Sequence, residues 1–286
     1  DRLYVGDTGG QIWRVDLAAI DLTSTYSSTA GKTVVGKLAN ISQAGVPAEE
    51  RRFFEPPSVV QVRDTKFSNE ENYDYILMGT GYRSHPLNTG VRDRFYAIRD
   101  FETGANGMVD LNDNNISDAT EGYPQTSGDA FRNSDLINVT TTILDSADSN
   151  DLASAGWFYD FTQAGTIGEK VLSPAITLGG TVTFTTFAPE GTSSTPDPCT
   201  TSIGLGKAYN FDILSAGAGL DWDADGAITN NDRKFELTGG IPSGVVPVFT
   251  TEGVIGIVGV EGGTKQLGKL TDLILTRSNW QEKTEF

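Results

Sequence analysis

Apolar and polar positions along this chain come in short alternating stretches, not in helical ones. Runs rich in Val, Ile, Thr, Tyr and Phe fall at 3–6, 11–16, 58–62, 75–79, 95–99, 156–161, 171–178, 181–187, 208–211, 245–250 and 254–260. Gly, Asp, Asn, Pro and Ser punctuate them, and no stretch of a dozen residues carries an apolar face at helical spacing. This pattern predicts a mostly antiparallel, all-β protein. In 181–187, Thr alternates with Val and Phe as far as Thr185-Thr186. That alternation predicts a strand with one buried and one solvated face. Gly179-Gly180, just before it, predicts a tight hairpin back to 171–178.

Three segments do not read as strands: 24–55 (Ser, Thr and Gly, then charge), 103–138 (Asp, Asn, Gly and Ser) and 190–201 (Pro, Ser and Thr). They read as insertions between strand groups. Strand groups parted by such loops predict a sandwich or a β-propeller, whose blades are four-stranded sheets of roughly 40–50 residues. About a dozen strands make three to four blades, at or below the small end for a closed ring.

Charge narrows the function. The chain has 286 residues, with 38 acidic against 21 basic side chains, a formal charge of −17. That argues against sequence-independent nucleic-acid binding and against electrostatic docking on an anionic membrane. The longest strongly apolar run, 254–260, is far shorter than the ~20 residues needed to span a bilayer. The chain opens at Asp1 and enters a strand-like run at once, so the start is read as a cut or processed edge with any targeting segment upstream.

The sharpest chemistry lies in two acidic loops. In Asp221-Trp222-Asp223-Ala224-Asp225-Gly226-Ala227-Ile228-Thr229-Asn230-Asn231-Asp232, carboxylates stand at positions 1, 3 and 5, with glycine at position 6 for the sharp bend. Ala227 offers its carbonyl at position 7, Thr229 acts directly or through water at position 9, and Asp232 closes the shell at position 12. Four carboxylates in this space repel one another without a cation, and oxygen-only donors select a hard ion, Ca²⁺ over Mg²⁺. The plainer alternative is a solvated acidic turn.

The first loop, residues 110–118, presents side-chain oxygens from Asp110, Asn112, Asn114 and Asp118, with the carbonyl of Ile116 at position 7. Asn115 stands where glycine is usual, and Asn tolerates the left-handed conformation. Glu121 is a further candidate ligand. Neutral amides make this the weaker calcium site, and an Asx-turn network is its rival reading.

Other residues carry less. The single histidine, His85, precedes a proline and lacks a Gly-x-Ser-x-Gly partner, which disfavours a catalytic triad. One Cys and one His disfavour zinc. Trp13, Trp157, Trp222 and Trp280 read as packing aromatics more readily than as a sugar platform. Glu49-Glu50-Arg51-Arg52 reads as a solvated charged turn, and Cys199 as a free thiol or half of a bridge to sequence outside this chain.

The opening Leu3-Tyr4-Val5-Gly6-Asp7-Thr8-Gly9-Gly10-Gln11-Ile12-Trp13-Arg14-Val15-Asp16-Leu17 resembles a blade motif of the PilY family, calcium-binding tip adhesins of bacterial type IV pili. The resemblance continues in order through Gly79-Thr80-Gly81-Tyr82, Phe95-Tyr96-Ala97-Ile98-Arg99-Asp100 and Gly156-Trp157-Phe158-Tyr159-Asp160-Phe161 with Gly168-Glu169-Lys170-Val171. It runs on through the 181–187 strand toward Cys199 and ends at Arg277-Ser278-Asn279-Trp280. It implies a modified β-propeller whose nine-residue calcium loop matches Asp110, Asn112, Asn114, Ile116 and Asp118, with Asn for Asp at the fifth position. It also implies a location at the pilus tip on the bacterial surface, minor pilins and host or environmental surface receptors as partners, and calcium as a regulator of pilus extension and retraction. The loop at 221–232 looks like a second site particular to this relative.

The expectation is therefore an all-β chain. It is read as a partial β-propeller of antiparallel four-stranded blades with long acidic, calcium-binding insertions near 24–55, 103–150 and 190–240. Residues 1–286 form one such domain or the C-terminal portion of one. The function expected is that of a non-enzymatic, calcium-binding adhesin or assembly factor. The rivals are a calcium-dependent quinoprotein-like or glycoside-active propeller enzyme, and an extracellular scaffold with purely structural calcium.

Overall fold

A computed structural model describes residues 2–17, 34–64, 72–100, 130–145, 148, 154–189, 203–222 and 225–271. Its sixteen strands form four sheets that follow one another along the chain. The first sheet holds β1 (Arg2–Gly6), β2 (Gln11–Asp16) and β3 (Val34–Asn40). The second holds β4 (Ser58–Arg63), β5 (Asn72–Gly79), β6 (Arg94–Asp100), β7 (Ile137–Asn138) and β8 (Gly156–Asp160), in the order β4-β5-β6-β8-β7. The third holds β9 (Lys170–Val171), β10 (Ile176–Leu178), β11 (Thr181–Ala188), β12 (Leu205–Asp212) and β13 (Lys234–Gly239). The last holds β14 (Val246–Thr250), β15 (Gly253–Val260) and β16 (Gly263–Thr271). No α-helix occurs among the described residues, and none of their helices is long and apolar enough to cross a membrane.

The four-stranded expectation holds only for the middle of the chain. In the second sheet β4, β5, β6 and β8 pair antiparallel, and two-residue β7 adds a parallel edge. In the third, β9 and β10 both pair with β11 at different points, as two pieces of one broken strand. The break falls at Ser173-Pro174, where proline offers no N–H to the ladder. The outer two sheets have three strands each. Stretches read as insertions also contribute strands: β3 lies within 24–55, and β12 and β13 lie within 190–240.

Strand periodicity explains how the sheets stack. Side chains alternate between faces, so a strand covered on both sides is buried throughout. Tyr73, Tyr75 and Leu77 of β5, Phe95 of β6, and Trp157 and Tyr159 of β8 meet Val182, Phe184, Tyr209 and Phe211 of the third sheet. The intervening residues Ile76, Met78, Tyr96, Ile98 and Phe158 face the other way, onto Tyr4, Ile12, Leu38 and Phe53. A third layer joins Ala208, Leu237, Ile176 and Phe235 to Val258, Leu267 and Leu270. At the centre the Phe95 and Phe184 rings lie parallel, 3.9 Å apart, across two sheets.

Two expectations from the sequence are corrected here. The Thr face of β11 is buried, not solvated. Its hydroxyls find partners inside the protein: Thr185 donates to the carbonyl of Ser243 and meets the Ser173 hydroxyl, and Thr183 accepts from Asn210. Likewise Glu49-Glu50-Arg51-Arg52 is not a solvated turn. Arg51 is buried, donating to the carbonyls of Arg92 and Ile41 and pairing with Glu49 at 2.6 Å. By contrast, the hairpin at Gly179-Gly180 forms as predicted. Both residues take positive φ and close the Leu178–Thr181 pair.

The Gly-Asp-x-x-Gly-x-x-Trp opening has a local physical explanation. The carboxylate of Asp7 accepts the N–H groups of Gly9 and Gln11 and the indole N–H of Trp13, all at 2.9 Å. Gly10 has φ +73°, and a Cβ there would lie 2.4 Å from Cβ of Ser42. The motif therefore builds a rigid β1–β2 turn that lets the chain approach closely.

Candidate metal centre

The loop from Asp221 to Asp232 links β12 to β13 at the edge of the third sheet. Asp221, Asp225, Ala227, Thr229 and Asp232 are described; Asp223 lies outside the described residues. Gly226 has φ +89°, the left-handed bend expected at position 6. Oδ2 of Asp221 accepts the Gly226 N–H at 2.9 Å, and Oδ1 of Asp225 accepts the Ala227 N–H at 2.8 Å. Each carboxylate thus folds the backbone around itself.

Asp232 closes the loop differently from a simple terminal ligand. It sits in a 3-10 turn, Asn230–Arg233, capped by Thr229. Its Oδ2 accepts the Thr229 N–H at 2.8 Å and the Thr229 hydroxyl at 3.0 Å. Its Oδ1 accepts the N–H of Trp222 at 3.2 Å. These bonds form a capping box and draw the two ends of the loop together. Among the described residues, no three His, Cys, Asp or Glu side chains gather as a metal cluster.

One feature tests whether these residues suit a cation. Oδ1 of Asp221 is buried and has no hydrogen-bond partner among the described residues. A buried acceptor left unsatisfied is costly, and a hard cation satisfies it. The donor set is oxygen throughout, so the loop fits Ca²⁺ chemically. The ligands of the first loop, Asp110, Asn112, Asn114, Ile116 and Asp118, together with Glu121, lie outside the described residues, as do Cys199 and Trp280.

Sequence spacing does not reveal the buried charge networks within and between the sheets. Glu169 accepts from Thr186 at 2.6 Å, from the Tyr209 hydroxyl at 2.7 Å and from Lys207 at 2.8 Å, and Lys207 also reaches Thr166. Arg14 grips both oxygens of Asp100 at 2.7 and 2.8 Å, and Tyr4 donates to the same carboxylate at 2.6 Å. Burial raises the Asp93 carboxyl to about 6, opposed by its Thr80 hydrogen bond and by Lys170. These groups come from strands far apart in sequence, so no local motif announces them. His85 stacks on Tyr82, which stacks in turn on Phe54.

No protein-family model matches the chain, and no curated protein matches it. Among solved structures, the crystal structure of the Pseudomonas aeruginosa PilY1 C-terminal domain is similar, with a TM-score of 0.56 and 17% identity. The likeness covers 92% of this chain and 56% of that one, so this chain spans little more than half of that structure. At this identity the likeness is one of fold.

Proposed function

We propose that this chain is part of a calcium-binding β-propeller of a type IV pilus adhesin or assembly factor, with no enzymatic activity. The observation that carries the reading is the fold likeness to the PilY1 C-terminal domain over 92% of the chain. It coincides with the motifs that resemble the PilY family in the sequence. The successive stacked meanders are the blades of this reading, and the site is the bacterial surface at the pilus tip. Its partners there are minor pilins and surface receptors.

Calcium enters through the orphaned Asp221 oxygen. In this reading Asp221, Asp223, Asp225, the carbonyl of Ala227, Thr229 and Asp232 hold one ion, and Asp110, Asn112, Asn114, Ile116 and Asp118 hold a second. Cation binding offsets the mutual repulsion of the loop carboxylates. It adds RT ln(1 + [L]/Kd) to stability, about 2.7 kcal/mol at a hundredfold excess over Kd. Pilus extension and retraction then respond to calcium through ordering of these loops.

Two measurements test the proposal. Calorimetric calcium titration of chelator-stripped protein is expected to show two binding events, one lost in Asp118→Ala and one in Asp223→Ala. Pull-down from sheared pili is expected to retain minor pilins. Absence of both calcium events removes the metal reading, and absence of pilin association removes the pilus reading.

A further inference from the structure

Beside the 3-10 turn lies an open pocket of about 750 Å³, bordered by residues from the loops after β7, β8 and β12. It contrasts with the rest of this acidic chain. Its lining includes two cations, Arg233 and Lys234, with the amides of Gln163, Asn230 and Asn231 and the hydroxyl of Thr141, and it includes no carboxylate.

Arg233 is the unusual member. It is only 3% exposed, yet no carboxylate among the described residues pairs with it. Its two terminal nitrogens donate to the carbonyls of Val139 and Thr142, and its Nε–H is buried with no partner among the described residues. Three other buried arginines differ. Arg14 holds Asp100, Arg94 holds Asp160 and Arg51 holds Glu49. A buried guanidinium without a counter-charge is strongly disfavoured unless an anion compensates it.

We propose that this pocket binds the carboxylate of an acidic sugar. Arg233 supplies the charge-assisted hydrogen bond, with Lys234 adding long-range attraction at the rim. The surrounding donors suit a ligand rich in hydroxyls. Gln163 uses its oxygen to accept from Asn138, and among the described residues no hydrogen bond occupies the side-chain amides of Asn230 and Asn231. Apart from Ala164 and Tyr159 the lining is polar or glycine, which disfavours an apolar ligand, and the volume lies within the usual range for small-ligand sites.

The test is titration of the full chain with glucuronate, glucose and acetate, followed by chemical-shift perturbation of the Asn and Gln side-chain amides. Glucuronate is expected to bind and to shift the amides of Gln163, Asn230 and Asn231, with glucose and acetate each roughly tenfold or more weaker. Gln163→Glu and Lys234→Glu alter exposed side chains only, and each is expected to weaken glucuronate binding while leaving the melting temperature unchanged. Arg233→Met is expected to abolish binding; it also frees the carbonyls of Val139 and Thr142 and so lowers stability, which is why the exposed variants carry the test. No glucuronate binding, equal binding of glucose, or equal binding of acetate would each overturn the proposal. So would unchanged affinity in Gln163→Glu and Lys234→Glu.

Discussion

Oδ1 of Asp232 accepts the backbone N–H of Trp222 at 3.2 Å and so ties together positions 2 and 12 of the acidic loop. The same carboxylate caps the 3-10 turn through Thr229. It therefore holds the loop in shape even without a cation, whereas Asp221 keeps a buried oxygen with no partner among the described residues. The two residues are expected to behave oppositely. In chelator, Asp232→Ala lowers stability by about 1–2 kcal/mol through the lost cap and clasp. In chelator, Asp221→Asn is neutral or stabilising, because it removes an uncompensated charge. In excess calcium, Asp221→Asn loses the calcium-dependent gain in melting temperature. Thermal unfolding with and without calcium separates the two effects.

The buried carboxyl of Asp93 makes stability depend on pH. Its folded pKa is raised to about 6, above that of the unfolded chain. Between roughly pH 4 and 6 the folded state therefore holds a proton that the unfolded state has released. The contribution is full below that window and falls as pH rises through it, by roughly 3 kcal/mol. Asp93→Asn keeps an acceptor for Thr80 and carries no charge. Its stability relative to wild type is expected to rise between pH 4.5 and 7, as read by urea unfolding at each pH.

Glu169 and Lys207 pair at 2.8 Å in the core, with two hydroxyls completing the carboxylate. Removing one partner leaves the other charge buried and alone. Glu169→Ala is expected to cost about 3–5 kcal/mol, more than an exposed ion pair is worth. Replacing both residues, as Glu169→Gln with Lys207→Met, is expected to recover much of that loss. A loss in the double variant equal to the sum of the losses in Glu169→Gln and Lys207→Met alone would show that the pair is not coupled.

The parallel rings of Phe95 and Phe184 join the second and third sheets. Phe184→Ala is expected to cost about 3–5 kcal/mol, and Phe184→Leu clearly less, since Leu refills most of the cavity. Denaturant unfolding of both variants reads the difference. Similar small losses would mean that the inter-sheet layer collapses easily around a void.

Much of the fold is legible in the chain because strand alternation is a local property. The runs at 11–16, 58–62 and 181–187 coincide with β2, β4 and β11. The Gly179-Gly180 hairpin is equally local, set by two residues that accept positive φ. The polar strand β16, with Lys265, Gln266 and Lys269, carries no strong apolar alternation and does not announce itself. The split of 171–178 is marked in the sequence only by Pro174, between flanking apolar residues.

The candidate metal loop is legible for the same reason: its ligands are close in sequence, and glycine marks the bend. That Asp232 turns inward to cap a 3-10 turn is not visible, because the capping geometry depends on where β13 leaves the loop.

By itself, then, the sequence determined the β character, the strand runs, the hairpin glycines and the acidic loops. Each depends on neighbours within a few residues, where backbone preference and side-chain alternation act directly. Only the tertiary structure decided which strand faces are covered, and so whether Thr183 and Thr185 meet water or a partner. It alone paired Glu169 with Lys207 and buried Arg233 beside a pocket without a counter-charge. Those outcomes depend on strand pairing and sheet stacking, which bring together residues whose separation along the chain carries no local signal.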